Sequence, residues 1–145
     1  MELRELTTKE EMLDRYTVVR EVYPSLTLEE YDTELDLMLP HNYGQVAVFE
    51  GEECIGLTGY WIGSKLWCGK YMELDNVVIC KKHRGKGIGE LLFKHMEAKA
   101  KELKCTMLAL DSYSDNFKAH KFFYSQSFVP RGFHFINILD KTGVR

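Results

Sequence analysis

What this sequence lacks narrows its function before any motif is considered. No apolar run approaches the ~20 residues that a membrane-spanning helix needs. The opening residues, Met1-Glu2-Leu3-Arg4-Glu5-Leu6, are too charged for a secretory signal, so a cytoplasmic chain is expected. Cys54, Cys68, Cys80 and Cys105 form no Cys-x-x-Cys pair and no zinc spacing, and such scattered thiols suit a reducing compartment. His41, His83, His95, His120 and His134 make no His-Glu-x-x-His pattern, so no metal is expected. There is no Gly-x-Ser-x-Gly nucleophile elbow. There is no excess of positive charge either. The formal net charge is −3, which gives no pull toward nucleic acid or anionic membranes. With no repeat and no linker rich in Pro, Gly or Ser, residues 1–145 read as a single domain. What is present, 45% hydrophobic and 28% charged residues, fits one ordinary globular core.

Periodicity and capping signals predict the elements. Met1 to Leu6 alternates apolar and charged residues, as a short strand does. Thr7 and Thr8 each precede a Glu at capping-box spacing and open a helix reaching about Val22. Tyr23-Pro24-Ser25 breaks it, and Thr27 with Glu30 opens a second helix that Pro40 ends. Strands follow at Gln45 to Glu50, Cys54 to Ile62 and Tyr71 to Cys80, an antiparallel meander. Ile88, Leu91, Leu92, Met96 and Leu103 recur at helical spacing. Thr106 to Leu110 is a short strand, and Asp115 or Asn116 can cap a helix to about Ser125. Phe128 to Leu139 is expected to close the chain as one or two strands. The order β-α-α-β-β-β-α-β-α-β predicts an α+β fold, a mixed α/β sandwich with a central, mostly antiparallel sheet flanked by helices.

The strongest chemical signal is Ile79-Cys80-Lys81-Lys82-His83-Arg84-Gly85-Lys86-Gly87-Ile88-Gly89-Glu90. Alternate glycines let the backbone turn tightly and bring its N–H groups close to a ligand. The helix behind adds unpaired N–H donors and a partial positive charge, which suits phosphate. Lys81, Lys82, Arg84 and Lys86 make the region cationic in an acidic protein. The blander alternative is a glycine-rich turn with solvated lysines, but three glycines at a helix start are poor helix formers. A nucleotide P-loop needs Ser or Thr after Gly-Lys, and none is there. A dinucleotide fingerprint needs a further glycine at Glu90 or Leu92, and neither is one.

Arg84-x-x-Gly87-x-Gly89, between an apolar strand and an amphipathic helix, resembles the acyl-CoA signature of the GNAT superfamily of N-acetyltransferases. Asn116, Ala119, Phe122 and Phe128 match the spacing of that family's closing pattern, and the order of elements agrees over nearly the whole chain. The resemblance implies acetyl-CoA as cosubstrate. It implies that backbone amides of Gly85, Lys86, Gly87, Ile88, Gly89 and Glu90, beside Arg84, hold the pyrophosphate. It also implies that Val77, Val78 and Ile79 pair through their backbone with pantetheine, as an added strand does. Asn116 and the face of its helix, with Phe123, would flank the cofactor. For Val77 and Ile79 the alternative is plain core burial.

Amide formation needs a neutral amine, and deprotonating a lysine-like one at neutral pH costs roughly 4–5 kcal/mol. A carboxylate near the thioester can take that proton. Glu73 and Asp75 lie on one face of a predicted strand, and Glu73 falls where a histone-acetylating branch of the family carries its base. Solvated strand-end carboxylates are the alternative. The family's thiolate-protonating tyrosine would stand at position 123, which is Phe123 here; Tyr124 is adjacent, but one residue turns a helix by about 100°. The family's glycine before Phe128 is replaced by Ser127. Either Tyr124 serves as the acid through a shifted helix end, or no side-chain acid is used; a thiol of pKa about 8.5 leaves tolerably without one.

The resemblance implies an acceptor region built by the first two helices and their connection, the loop between the third and fourth strands, and the last strands. Those stretches hold Tyr23, Tyr31, Tyr60, Trp61, Trp67, Phe133, His134 and Phe135; such aromatics are more often core or rim than a substrate cage. Glu29, Glu30, Asp32, Glu34 and Asp36 would favour a cationic acceptor, or form a solvated face. The resulting expectation is transfer of acetyl from acetyl-CoA to a primary amine of a small molecule or peptide, by a monomer or homodimer with no nucleic-acid or membrane partner. The alternatives are a non-catalytic acyl-CoA-binding regulatory module, motivated by Phe123, and an interaction domain whose glycine loop merely starts a helix.

Overall fold

Five strands and five helices form where most of these signals fall in the computed structural model, which describes residues 1–145. They are β1 (Glu2–Leu6), α1 (Lys9–Leu13), α2 (Tyr16–Val19), α3 (Leu28–Met38), β2 (Tyr43–Glu50), β3 (Glu53–Lys65), β4 (Gly69–Ile79), α4 (Ile88–Glu102), β5 (Met107–Leu110) and α5 (Phe117–Ser125). By compactness the chain divides into Met1–Asp111 and Ser112–Arg145. No helix is long and apolar enough to cross a membrane.

In the first unit the strands form one sheet in the order β1-β2-β3-β4-β5. The first three pairings are antiparallel and the last is parallel, as the β4-α4-β5 crossover requires. The mixed α/β sandwich is therefore borne out. On one face Leu6, Met12, Val18, Val19, Leu26, Tyr31 and Leu35 join Tyr43, Ala47, Phe49, Leu57, Val78 and Cys80 in a core under α1, α2 and α3. On the other, α4 packs on β3, β4 and β5 and buries Ile88, Leu92, Phe93, Met96 and Ala100; of the expected stripe Ile88, Leu92 and Met96 are buried, whereas Leu91 is exposed and Leu103 half-buried.

Two expectations are corrected here. The first predicted helix is two. Thr8 forms its capping box with Glu11, but α1 ends at Leu13 and α2 spans only Tyr16–Val19. Arg15 N–H donates to Met12 O, a tighter bond than the α-helical one, and the β-branched Thr17-Val18-Val19 run gives the continuation little intrinsic support. The closing strand is absent, and no strand follows β5. Alternation alone does not make a strand, because the backbone must find a partner ladder. Pro130 has no N–H to give one, and the apolar period slips at Phe135-Ile136 and again at Ile138-Leu139.

In the second unit α5 starts at Asn116, whose side chain accepts from Ala119 N–H at 3.3 Å. His120 Nε2 lies 2.8 Å from Tyr113 O, tying the preceding turn to the helix. Phe123 packs near Phe122 and Phe128, with ring centroids 6.0 and 6.3 Å away.

Candidate active site

The local irregularity of β4 organises the site. Leu57 pairs with Val78 and Gly59 with Asp75, so Thr58 alone faces two residues, Asn76 and Val77. The extra residue is a bulge, and Asn76 adopts φ 54°, a left-handed conformation that Asn tolerates better than most residues. Three bonds hold it there. Its N–H donates to Asp75 Oδ1 at 2.8 Å, its Oδ1 accepts from Tyr43 OH at 2.7 Å, and its Nδ2 donates to Tyr23 OH at 3.0 Å. Beneath them, fully buried Gln45 donates to Tyr43 OH at 3.0 Å and Tyr31 OH at 2.8 Å. Burial pushes the Tyr43 and Tyr31 hydroxyls up from their ordinary values, so both stay protonated and neutral.

The bulge reverses the parity of the strand. Before it Glu73 pairs with Trp61, which packs against the α1–α3 core, and Trp61 Nε1 donates to Asp75 Oδ2 at 3.0 Å. After it Val78 and Cys80 enter that core. Of the residues expected to bind pantetheine, Val78 is therefore the buried one, while Val77 and Ile79 are half-buried. That replaces the core-burial alternative proposed for Val77 and Ile79. Glu73 and Asp75 are half-buried on one face, as their spacing predicts.

Past the bulge the other edge of β4 is open. β5 pairs only with Tyr71, Met72, Glu73 and Leu74, whereas β4 continues to Ile79. Asp75 to Ile79 thus have no strand partner on the side away from β3, the form that an added extended chain can meet, although the Asn76 N–H is turned to Asp75 Oδ1 and Ile79 O accepts from Arg84 Nε.

The strand then runs directly into the glycine loop. Gly85 and Gly87 have φ 76° and 78°, conformations that disfavour any side chain, and a Cβ at either would meet nothing within 4 Å. The space beside them is open. Gly89 has no such angle and lies inside α4, so its smallness, not its flexibility, is what it contributes. Gly87 caps α4 without any side-chain acceptor, which leaves the first-turn N–H groups of Ile88, Gly89 and Glu90 directed at the loop. Arg84 Nε donates to Ile79 O at 3.0 Å and folds the loop back on its own strand. Lys86 is exposed.

In the second unit Phe123 is half-buried and Tyr124 exposed, as the helical turn between them predicts. Cys80 is no nucleophile at neutral pH, since burial, with Glu21 adding to it, pushes its thiol up to about 11. Asn76, Tyr43 and Gln45 belong to no sequence motif. The available signal was Asp-Asn in the middle of a strand, where both residues are disfavoured unless the ladder is interrupted.

Comparison with known proteins agrees with this geometry. The chain is 24% identical over 122 residues to the uncharacterized N-acetyltransferase YhdJ of Bacillus subtilis (strain 168), covering 83% of this chain and 86% of that protein. The fold superposes on glucosamine-6-phosphate N-acetyltransferase from Arabidopsis thaliana with a TM-score of 0.74 at 18% identity, over 96% and 98% of the two chains. It also superposes on AAC(6')-Iy in complex with the bisubstrate analog CoA-S-monomethyl-acetylneamine, with a TM-score of 0.80 at 12% identity over 97% and 99%. The model of the acetyltransferase (GNAT) family matches residues 6–128, most of the chain, and the protein accordingly belongs to that family of acyltransferases.

Proposed function

We propose that this enzyme transfers the acetyl group of acetyl-CoA to a primary amine of a small molecule or peptide, with residues 1–145 acting as one catalytic domain. The observation that carries the reading is the continuity of two features. The edge of β4 from Asp75 to Ile79, which no strand covers, leads straight into a left-handed glycine loop at the start of α4, where no side chain caps the first-turn N–H groups. An extended pantetheine fits the first, and a pyrophosphate fits the second. Val77, Val78 and Ile79 would bond pantetheine through their backbones, and Arg84 to Glu90 would cradle the phosphates. Asn116 and Phe123 would flank the cofactor from α5. The CoA analog in the AAC(6')-Iy complex supports the same cosubstrate.

The amine would arrive on the face that carries Glu73, Asp75 and Trp61, where a carboxylate can take its proton as the nitrogen attacks the thioester carbon. The N–C bond forms, the thioester C–S bond breaks, and CoA leaves as the thiolate. Phe123 offers it no proton, and exposed Tyr124 stays the reserve acid. Amine acceptors are supported by the neighbour that acts on glucosamine-6-phosphate. No metal enters the reading, and its setting would be the cytoplasm. A homodimer is included, since Phe133, Phe135 and Leu139 are about nine-tenths exposed.

Isothermal calorimetry tests the coenzyme site. Gly85→Val with Gly87→Val should weaken acetyl-CoA binding at least about tenfold, or 1.4 kcal/mol, because both side chains would have to adopt positive φ. Unchanged affinity in the folded double variant would remove the loop from the site. Free-thiol release with a panel of amines separates the enzyme from a regulatory acyl-CoA binder, which releases none.

A further inference from the structure

The turn between β4 and the glycine loop is pinned from several sides, and one pin is incomplete. Lys81 N–H donates to Glu21 Oε2 at 3.0 Å, Lys82 Nζ bonds Glu53, and Arg84 Nε holds Ile79 O. Lys82 keeps the exposed Glu53 carboxyl below its usual range. Between them His83 is 9% exposed, and neither of its ring nitrogens has a hydrogen-bond partner. Its Nδ1 lies 4.0 Å from Glu50 Oε2, at the end of β2, and its Nε2 lies 3.6 Å from Glu53 Oε1, at the start of β3.

Buried polar atoms are almost always partnered, and leaving one bare costs about 1–3 kcal/mol. A neutral imidazole has one N–H and one lone pair, so it can satisfy only one of two carboxylates and must turn its lone pair toward the other. The imidazolium has two N–H groups and fits both. We propose that His83 is a proton-linked positioning residue of the coenzyme loop: charged, it bridges Glu50 and Glu53 and fixes the start of Arg84–Glu90 to receive pyrophosphate.

The inference rests on the coenzyme reading above. The charged groups that face His83 are Glu50 from β2 and Glu53 from β3; Lys81, Lys82 and Arg84 flank it on its own segment, with Lys82 bonded to Glu53 and Glu21, beyond α2, bonded to the Lys81 N–H. Docking of an anion just downstream adds negative charge near the ring and favours the imidazolium, whose extra proton comes from solvent. By reciprocity, protonation tightens coenzyme binding. Affinity is then greatest where the ring carries both protons and falls as rising pH removes one.

Dephospho-CoA is the probe, because its pyrophosphate stays charged and it lacks the titrating 3′-phosphate of CoA. Calorimetry in buffers of different ionisation enthalpy near pH ~6.5 should show net proton uptake on binding. The association constant should fall about five- to tenfold between pH ~6 and ~8.5. His83→Gln should abolish the uptake and hold affinity at the high-pH level, raising KM for acetyl-CoA at low pH while leaving kcat unchanged. Glu50→Gln, which leaves the ring in place, should reduce the uptake and serves if His83→Gln does not fold. Binding without proton uptake, or wild-type uptake in folded His83→Gln, overturns the proposal alone. No binding at any pH overturns it together with the coenzyme site.

Discussion

Glu73 and Asp75 share a face of β4, yet their surroundings give them different work. Asp75 accepts from Trp61 Nε1 through one oxygen and from the Asn76 N–H through the other. A carboxylate so engaged anchors the bulge and the indole, and its removal should be felt first in stability. Asp75→Asn should cost about 1–3 kcal/mol in urea denaturation, the usual loss for an unsatisfied half-buried group. Glu73 pairs with Trp61 across the ladder, ahead of the point where the strand edge opens. We therefore expect Glu73→Gln to lower kcat by about 10²–10⁴, the usual range for general-base catalysis, with acetyl-CoA affinity nearly unchanged. The deficit should shrink as pH approaches the acceptor's own pKa, where the amine loses its proton unaided. A pH–rate profile superimposable on that of the parent would take Glu73 out of the mechanism.

Among the elements, the β4 bulge is the one on which the proposed site depends. Its Asn76 sits in a left-handed conformation that costs most residues about 1–2 kcal/mol, offset by side-chain bonds to Tyr43 and Tyr23. Asn76→Ala loses the bonds and keeps the strain, so it should destabilise by about 2 kcal/mol or more; Asn76→Gly relieves the strain and should cost less. Equal stability of the two variants in urea would mean that the backbone angle matters little there. The same element shows where sequence reading stops. Caps and periodicity located β1, α3, α4 and α5, because those signals are local and the structure uses them locally. The glycine loop was legible for the same reason. The bulge was less so, since two-residue alternation carries no mark of a slipped register and only the strand-averse pair Asp75-Asn76 hinted at it; Val78 rather than Val77 or Ile79 turned inward as a result. The network of Gln45, Tyr43 and Asn76 was hidden too, because its members meet only when α3 and three strands pack together. The closing strand failed for want of a partner, which no local pattern reports.

At the scale of the whole molecule, the segment without a partner has its own consequence. In the second unit Val129, Phe133, Phe135, Ile136 and Leu139 are all more than 70% exposed, and Ile138 is 48% exposed. Monomeric proteins seldom present contiguous apolar patches beyond a few hundred Å². Burying even part of this stretch against another molecule would gain roughly 25 cal/mol for each Å² removed from water. Charge opposes such contact only weakly, since the net charge is −3 over 145 residues. Light scattering should therefore show the protein associating as its concentration rises. Because the driving force is apolar, raising salt should not disperse it, in contrast to an association held by ion pairs. Phe133→Ser with Phe135→Ser should shift the association to higher concentration and leave the melting temperature nearly unchanged, since exposed side chains contribute little to folding. A monodisperse monomer at all concentrations would sink the homodimer. A large drop in melting temperature would instead show that these phenylalanines are buried in the chain's own fold, and that the unpaired segment finds a place in a sheet.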